Sequence, residues 1–525
     1  HNVVRLPCRG CNGMSLTTFI TQLGAAGAGG GDTFFIRYTQ PSSYATEARS
    51  ATSLLHSDGF TYAVFGYEQS SNDYVFMMKV AGDGSSSVQR KVTNATGDNP
   101  RVGAVVETSD GNIAFAFDNK GSNNIKNGSG NPSSFLAIYN VSSSFSPVNV
   151  TFGGTSYENI KFNQTSGGTS SLNCIRTLLA DGTDLYSGSV FGYGSSYIES
   201  GFSKLSGYTG GGTVTQSWKR NIRYDDGGFR LGHPWGLALT DNKSYLVTAG
   251  IGSTNANYYE NLGYIGTALA STGVEVGSFF SVFDTGGNEF PKADGTDQYG
   301  AEYLVKGLGL AKIGSNTFVS GYRTQSDELM LYKVTVNEST GAISHVATKR
   351  ITSSTGNFRP SSLVGNEDGN LYVVGFHTGN NKPYVMQINS DLTSVLGAYE
   401  WFCVEHTTHY AGGDQGYTFS MSCSETAVAI PFFQWTQYSY QGGMGVMKLP
   451  VDFTTMPATT NLSLDNGKTF RLQSASHGTV TFNNETPTFM TCEDGYTQDA
   501  VYGSNDITVT TESTNINDDI AIEPA

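Results

Sequence analysis

The sequence predicts an all-β chain folded as a β-propeller of about seven blades, followed by a small C-terminal β extension. Three observations carry that expectation. The first is composition: 65 glycines, 12% aromatic residues and only 14% charged residues, where an ordinary globular protein carries about 25% charged. The second is period: apolar residues alternate with polar ones, which is the repeat of a strand and not the 3.6-residue repeat of a helix. The third is repetition: strand–turn–strand units recur at a spacing of roughly 50 to 75 residues, a sign of radial or solenoid architecture.

The units follow in order. The first runs from Glu47 to Val92. An alternating strand ends at Asp58-Gly59, FTYAVFGYE follows, then DYVFMMKV, and Asp83-Gly84 turns into a fourth strand. Asp-Gly between alternating runs marks a hairpin, because both turn positions must tolerate positive φ. The second unit holds SDGNIAFAF at 109–117 and FLAIYNV at 135–141. The third holds 180–192 and 200–211, the fourth 239–250 and 278–283, and the fifth 312–322 and 328–341. The sixth holds NEDGNLYVVGF at 366–376 and PYVMQINSDLTS at 383–394, and the seventh holds 424–433 and 443–450. No Pro-rich linker separates the units, so one ring fits better than a string of sandwiches, and a ring leaves only short edges. The seventh unit lacks an outermost strand, while TFFIRYT at 33–39 stands alone before the first. Residues 33–39 are therefore expected to pair with 443–449 and close the ring.

Three regions result. Residues 1–31 form a lead-in, partly flexible, 32–450 the propeller, and 451–525 a β-rich extension. In that extension 462–472 reads as a hairpin turning at Asn466-Gly467. Segments 478–482, 506–511 and 516–522 read as further strands that need a partner: the propeller's side, a sister chain or a neighbouring particle protein. Strand addition would supply the affinity. A frayed acidic tail is the other reading.

The pattern DGxxYVVG…YVMxxxxD at 368–391, repeated around the ring, resembles the SBBP-type β-propeller repeats of bacterial surface proteins. It is more similar still to propeller proteins encoded by tailed phages of marine bacteria. The start-like Met14, the Gly-rich stretch 24–31 and the strand at 33–39 follow that plan, and the resemblance spans 14–450. It implies an extracellular virion protein with a structural or host-attachment role and brings no catalytic residues.

Charge narrows the partners. The net charge is −15 and the pI about 4.9, whereas nucleic-acid binding needs clustered Lys and Arg. The one basic cluster, Lys219, Arg220, Arg223 and Arg230, is interrupted by Asp225 and Asp226. No apolar run approaches the length of a membrane helix. Six cysteines do not make a disulfide scaffold. Cys8 and Cys11 lack the further ligands zinc needs, and a Cys403–Cys423 bridge is open only to an oxidising compartment. No metal site and no cofactor are expected.

Two segments draw attention as sites. Residues 220–235, RNIRYDDGGFRLGHPW, place Tyr224, Asp225, Asp226, Arg230, His233 and Trp235 at the join of units three and four. Paired carboxylates serve acid–base work or glycosidic cleavage, but Asp-Asp before Gly-Gly is more often a solvated turn. Residues 400–417 bring Trp401, His406, His409 and Tyr410 together. Two histidines three apart suit a metal on a helix, and here no helix aligns them. The stretches 118–134, 251–271 and 284–302 read as insertions, which on a rigid scaffold carry recognition. No sialidase-type Asp box, nucleophile elbow, zincin motif or P-loop is present. The expectation is a non-enzymatic particle protein that binds a host glycan or protein. The alternatives are a glycan-active propeller enzyme and a bacterial adhesin.

Overall fold

The computed structural model describes residues 21–23, 34–39, 47–69, 72–93, 101–119, 133–141, 145–163, 173–193, 197–222, 230–253, 261–282, 307–324, 328–405, 418–437, 441–463, 468–485, 488–491, 508–511 and 519–521. Alternating runs joined by tight turns form seven sheets. In each, the first strand lines the axis of the ring and the later strands pair outwards, so the chain is a seven-bladed β-propeller. The described residues hold no α-helix, and no helix is long and apolar enough to cross a membrane.

Blade 1 comprises Glu47–Leu55, Thr61–Gln69, Asn72–Val80 and Ser87–Thr93. Blade 2 comprises Arg101–Glu107, Ile113–Asn119, Ser133–Tyr139 and Asn159–Asn163. Blade 3 comprises Asn173–Asp181, Asp184–Tyr193, Tyr197–Ser206 and Thr213–Ile222. Blade 4 comprises Arg230–Leu239, Tyr245–Ser253, Asn261–Leu269 and Glu275–Val282. Blade 5 comprises Gly307–Gly314, Thr317–Arg323, Leu329–Val336 and Ile343–Ser353. Blade 6 comprises Phe358–Gly365, Leu371–His377, Lys382–Ile388 and Val395–Cys403.

Blade 7 is assembled from both ends of the propeller. Ala427–Gln437 pairs with Gln441–Pro450, and Phe34–Thr39 adds to the outside, with Phe35 opposite Lys448 and Thr39 opposite Met444. This is the closure expected from the orphan strand. Near the axis, Thr418–Ser420 runs parallel to the first strand of blade 1 before Ser422–Cys423 turns into blade 7. The seam is thus joined at two radii. Gly84, at φ +73°, allows the third turn of blade 1 to lie on the closing strand: a Cβ there would stand 2.7 Å from Cβ of Phe35.

Apolar side chains interleave between neighbouring blades. Phe35, Phe65, Phe76 and Val446 fill the space between blades 7 and 1; Val64, Met77, Phe115 and Phe135 fill that between blades 1 and 2. Full burial of each such side chain contributes about 1.5–3 kcal/mol.

The C-terminal segment runs back around the outside of the ring. Thr459–Ser463 and Thr469–Ser474 form a hairpin added to blade 6. Val480–Asn484 then extends blade 5 and Thr488–Thr491 extends blade 4. Thr508–Thr511 extends blade 2 and Asp519–Ala521 extends blade 1. Among the described residues no C-terminal strand joins blade 3, where Val150–Phe152 runs along the outer strand, with Thr155–Tyr157 beyond it. The described strands of this segment pair with the chain's own blades. The hairpin matches the sequence reading, and its turn at Asn466-Gly467 lies outside the described residues.

Some readings need correction. Residues 251–271 are not an insertion: they contain Asn261–Leu269, the third strand of blade 4. Residues 133–134 of the stretch 118–134 likewise begin a strand. Cys403 and Cys423 are free thiols, one on the outer strand of blade 6 and one on the inner strand of blade 7. Cys8 and Cys11 lie outside the described residues.

Candidate functional site

In a four-stranded antiparallel blade, the first and third turns fall at one end. The second turn and the passage to the next blade fall at the other. The seven blades therefore give the ring two unlike ends.

The first end is closed by short turns that reach across every seam. Ser57 N–H donates to Glu107 at 2.9 Å, joining blades 1 and 2. Gly210 N–H donates to Asp110 at 2.7 Å, joining 2 and 3. Lys243 meets Asp181 at 2.5 Å, joining 3 and 4. Lys312 bridges Asp241 at 2.6 Å and Glu367 at 2.8 Å, joining 4, 5 and 6. The Lys312 ammonium holds the Asp241 carboxyl below the usual carboxylate range. Between 6 and 7, Glu425 shares a hydrogen bond with Asp368, which pushes its pKa up. At the closing seam Lys448 donates to the carbonyl of Gly82 at 3.1 Å and Arg37 to that of Gly84 at 3.2 Å. Exposed ion pairs contribute only about 0–1 kcal/mol each, so these contacts set the angle between blades more than they stabilise them. The sequence analysis did not single these residues out; the signal available was an acidic residue recurring in the first turn of successive units.

The opposite end carries the long connections. The strand ends flanking 94–100, 164–172, 223–229, 283–306 and 406–417 all stand there, as do those flanking 120–132 and 254–260. Blade 2 is the exception at the short-turn end, since its third connection carries the strand pair at 150–157.

The sequence-derived residues divide accordingly. Tyr224, Asp225, Asp226, His406, His409 and Tyr410 lie outside the described residues, in connections that leave from the long-loop end. Arg230 and His233 are not loop residues: they stand on Arg230–Leu239, the axial strand of blade 4. That strand is bulged at Leu231/His233 and at Pro234/Gly236. The two bulges break the alternation, and Pro234 reads as a turn former, which is why the segment resembles a loop. Trp235 lines the axial cavity and packs against Tyr322, Met330 and Tyr332. Trp401 is a core residue rather than a surface one. It is 2% exposed on the outer strand of blade 6 and meets Phe432 edge-on at 6.4 Å beneath the C-terminal hairpin.

The axial cavity has a volume of about 200 Å³ and is lined by the first strands of all seven blades. Its serines hold seams together. Ser53 Oγ donates to the carbonyl of Ala429 at 2.8 Å and lies 3.2 Å from Ser422 Oγ. Ser362 Oγ accepts from Met421 N–H at 3.2 Å. Arg176 is the charged residue of the lining, which contains no carboxylate. Among the described residues no group of three or more His, Cys, Asp or Glu side chains could hold a metal.

No protein-family model matches the sequence, and no curated protein matches it. Among solved structures, the chain is similar to the α-L-arabinofuranosidase Arb93A of Fusarium graminearum, at 10% identity and a TM-score of 0.38, covering 79% of this chain and 96% of that one. It is similar to an α-L-arabinanase of Penicillium chrysogenum, at 13% identity and 0.40, covering 67% and 97%. It is also similar to a sialidase of Trypanosoma rangeli, at 9% identity and 0.38, covering 83% and 59%. Likeness at this level carries nothing about a site or an activity in this chain.

Proposed function

We propose that the chain is a non-enzymatic protein of a virion or other extracellular particle, binding a host-surface glycan through the long-loop end of its propeller. One observation carries the binding reading: the two ends of the ring are unlike. The short-turn end is tied at every seam by its own residues, while the strand ends that flank the long connections stand at the other end. Loops on a rigid scaffold are where recognition resides. The connections there are rich in Tyr, Asn and Gly, which offer aromatic area and hydrogen bonding at low entropic cost. The particle assignment rests on the repeat resemblance in the sequence. The belt of added strands offers edges through which a second particle protein would join by strand addition.

The test uses the full chain on host-glycan arrays and intact host cells. Two variants accompany it, Tyr224→Ala/Asp225→Ala/Asp226→Ala and His406→Ala/His409→Ala/Tyr410→Ala. At least one is expected to bind about tenfold more weakly, a change of about 1.4 kcal/mol. Equal binding by both variants, or binding to host protein with none to glycan, overturns the glycan reading. Mass spectrometry of gradient-purified particles tests the particle assignment, and absence of the chain there overturns it.

A further inference from the structure

Where the C-terminal belt crosses from blade 6 to blade 5, its His477 ring packs against His377 of blade 6, centroids 4.5 Å apart and planes tilted by 43°. His377 is 0% exposed and His477 is 4% exposed. Phe358 and Tyr384 complete the cage around His477, at 5.2 and 5.4 Å.

We propose that this histidine pair makes the belt a strap that opens in acid, beginning at the blade 6 to blade 5 crossing. Both rings are built to be neutral. His377 Nδ1 accepts from the N–H of Asn380 at 3.1 Å, and its Nε2 faces Ser353 Oγ at 3.2 Å. A proton added at Nδ1 would set two donors against each other. His477 Nε2 is buried without a hydrogen-bond partner, so a proton there would bring an unsolvated charge. It would also face the second imidazole, 4.5 Å away between centroids.

The surrounding charges do not relieve this. From blade 6, Glu400 raises the basicity of both rings, but its oxygens are already held. Lys382 lies at 2.7 Å, Gln473 of the belt at 2.8 Å and Asn380 at 2.9 Å. From blade 5 comes Arg323, 2% exposed, whose charge acts on the same Tyr384. Further along the belt, Glu485 is taken by Arg350 at 2.7 Å. Burial, reinforced by the charge of His377, pushes the His477 pKa down to about 4; burial lowers that of His377 as well.

The sign follows from linkage. With the closed-belt pKa below the open-belt value, the closed belt is fully favoured above about pH 6.5. It loses ground as pH falls toward about 4 and no further below that. The belt beyond the crossing is the part that yields. Val480–Asn484 contributes no buried side chain, whereas the hairpin before it buries Leu462, Phe470 and Leu472 in the core.

Hydrogen exchange on the full chain at pH 7.5 and 4.5, corrected for intrinsic rates, tests the proposal. Amides of 480–484 are expected to lose protection by several tens of fold relative to Tyr245–Ser253 of blade 4, the fall that about two pKa units produce. His477→Phe keeps a ring in the cage without a titrating nitrogen, and its belt is expected to lose less than about threefold. Equal loss in belt and control strand, or equal loss in His477→Phe and the native chain, overturns the proposal. Should His477→Phe not fold, histidine NMR titration of the native chain decides. A His477 midpoint below pH 5 that coincides with belt exchange supports the strap; a midpoint near 6.5 with 480–484 still protected overturns it.

Discussion

At the scale of single residues, the side chains that hold the extension to the ring are aromatic and central. Phe470 is fully buried and stacks on Phe432 of blade 7 at 5.0 Å, with Tyr38 of the closing strand at 6.5 Å. One ring of the hairpin therefore touches both chain ends that form blade 7. Phe470→Ala removes it and leaves a cavity with little freedom to collapse between packed sheets. The expected loss is about 3–5 kcal/mol, read as a fall in the denaturant midpoint; Arg471→Ala, a half-buried neighbour on the same strand, is expected to move it by less than about 1 kcal/mol. Trp401 shows why such residues were hard to place from sequence. It precedes Glu405 and His406, and the cluster invites a site. The strand Val395–Cys403 is buried along its last five positions, because the hairpin covers it. Ordinary alternation disappears when a strand gains a cover from a distant segment, and no local pattern announces that cover.

At the scale of elements, most blade strands and the closing strand were legible in the sequence; Arg230–Leu239 and Asn261–Leu269 of blade 4 and the path of the extension were not. Asp-Gly turns and period-two alternation are local signals that mark a hairpin wherever it occurs. Ring closure was legible by elimination, since one orphan strand matched one incomplete unit. The belt strands carry no such address. Thr488–Thr491 and Thr508–Thr511 are short and rich in Thr, and their order, running against that of the blades, is set by where the chain leaves blade 7. It leaves along blade 6, where Phe453 inserts beside Tyr372 and Tyr399 at 5.3 and 5.9 Å and its N–H donates to Gln387 at 3.0 Å. Truncation after Pro450 is therefore expected to do more than shorten a tail. It deletes Phe453, Leu462, Phe470 and Leu472 from one core cluster and strips the added strands from blades 1, 2, 4, 5 and 6, leaving their longer outer strands as edges prone to self-association. Light scattering and a denaturation curve check this; a truncated chain that stays monomeric with an unchanged midpoint would contradict it.

At the scale of the whole molecule, the ring separates structural work from exposed chemistry. Turn-to-turn contacts occupy one end, the belt occupies the rim, and the axial serines bind seams together. Most glycoside hydrolases use a pair of carboxylates about 5–10 Å apart across the scissile bond, and the lining of the axial cavity contains no carboxylate. The pair that sequence reading raised, Asp225 and Asp226, is adjacent in the chain. The expected outcome is that the purified full chain releases no reducing ends from arabinans, sialylated glycans or uronic-acid polysaccharides, and forms no unsaturated product absorbing near the lyase wavelength. Asp225→Asn and Asp226→Asn should then change glycan binding while leaving both turnover assays at the buffer baseline. Turnover above that baseline that either substitution abolishes would mean that the long-loop end assembles an acid–base pair, and the chain would have to be read as a glycan-active enzyme whose loops, rather than its axial strands, carry the chemistry.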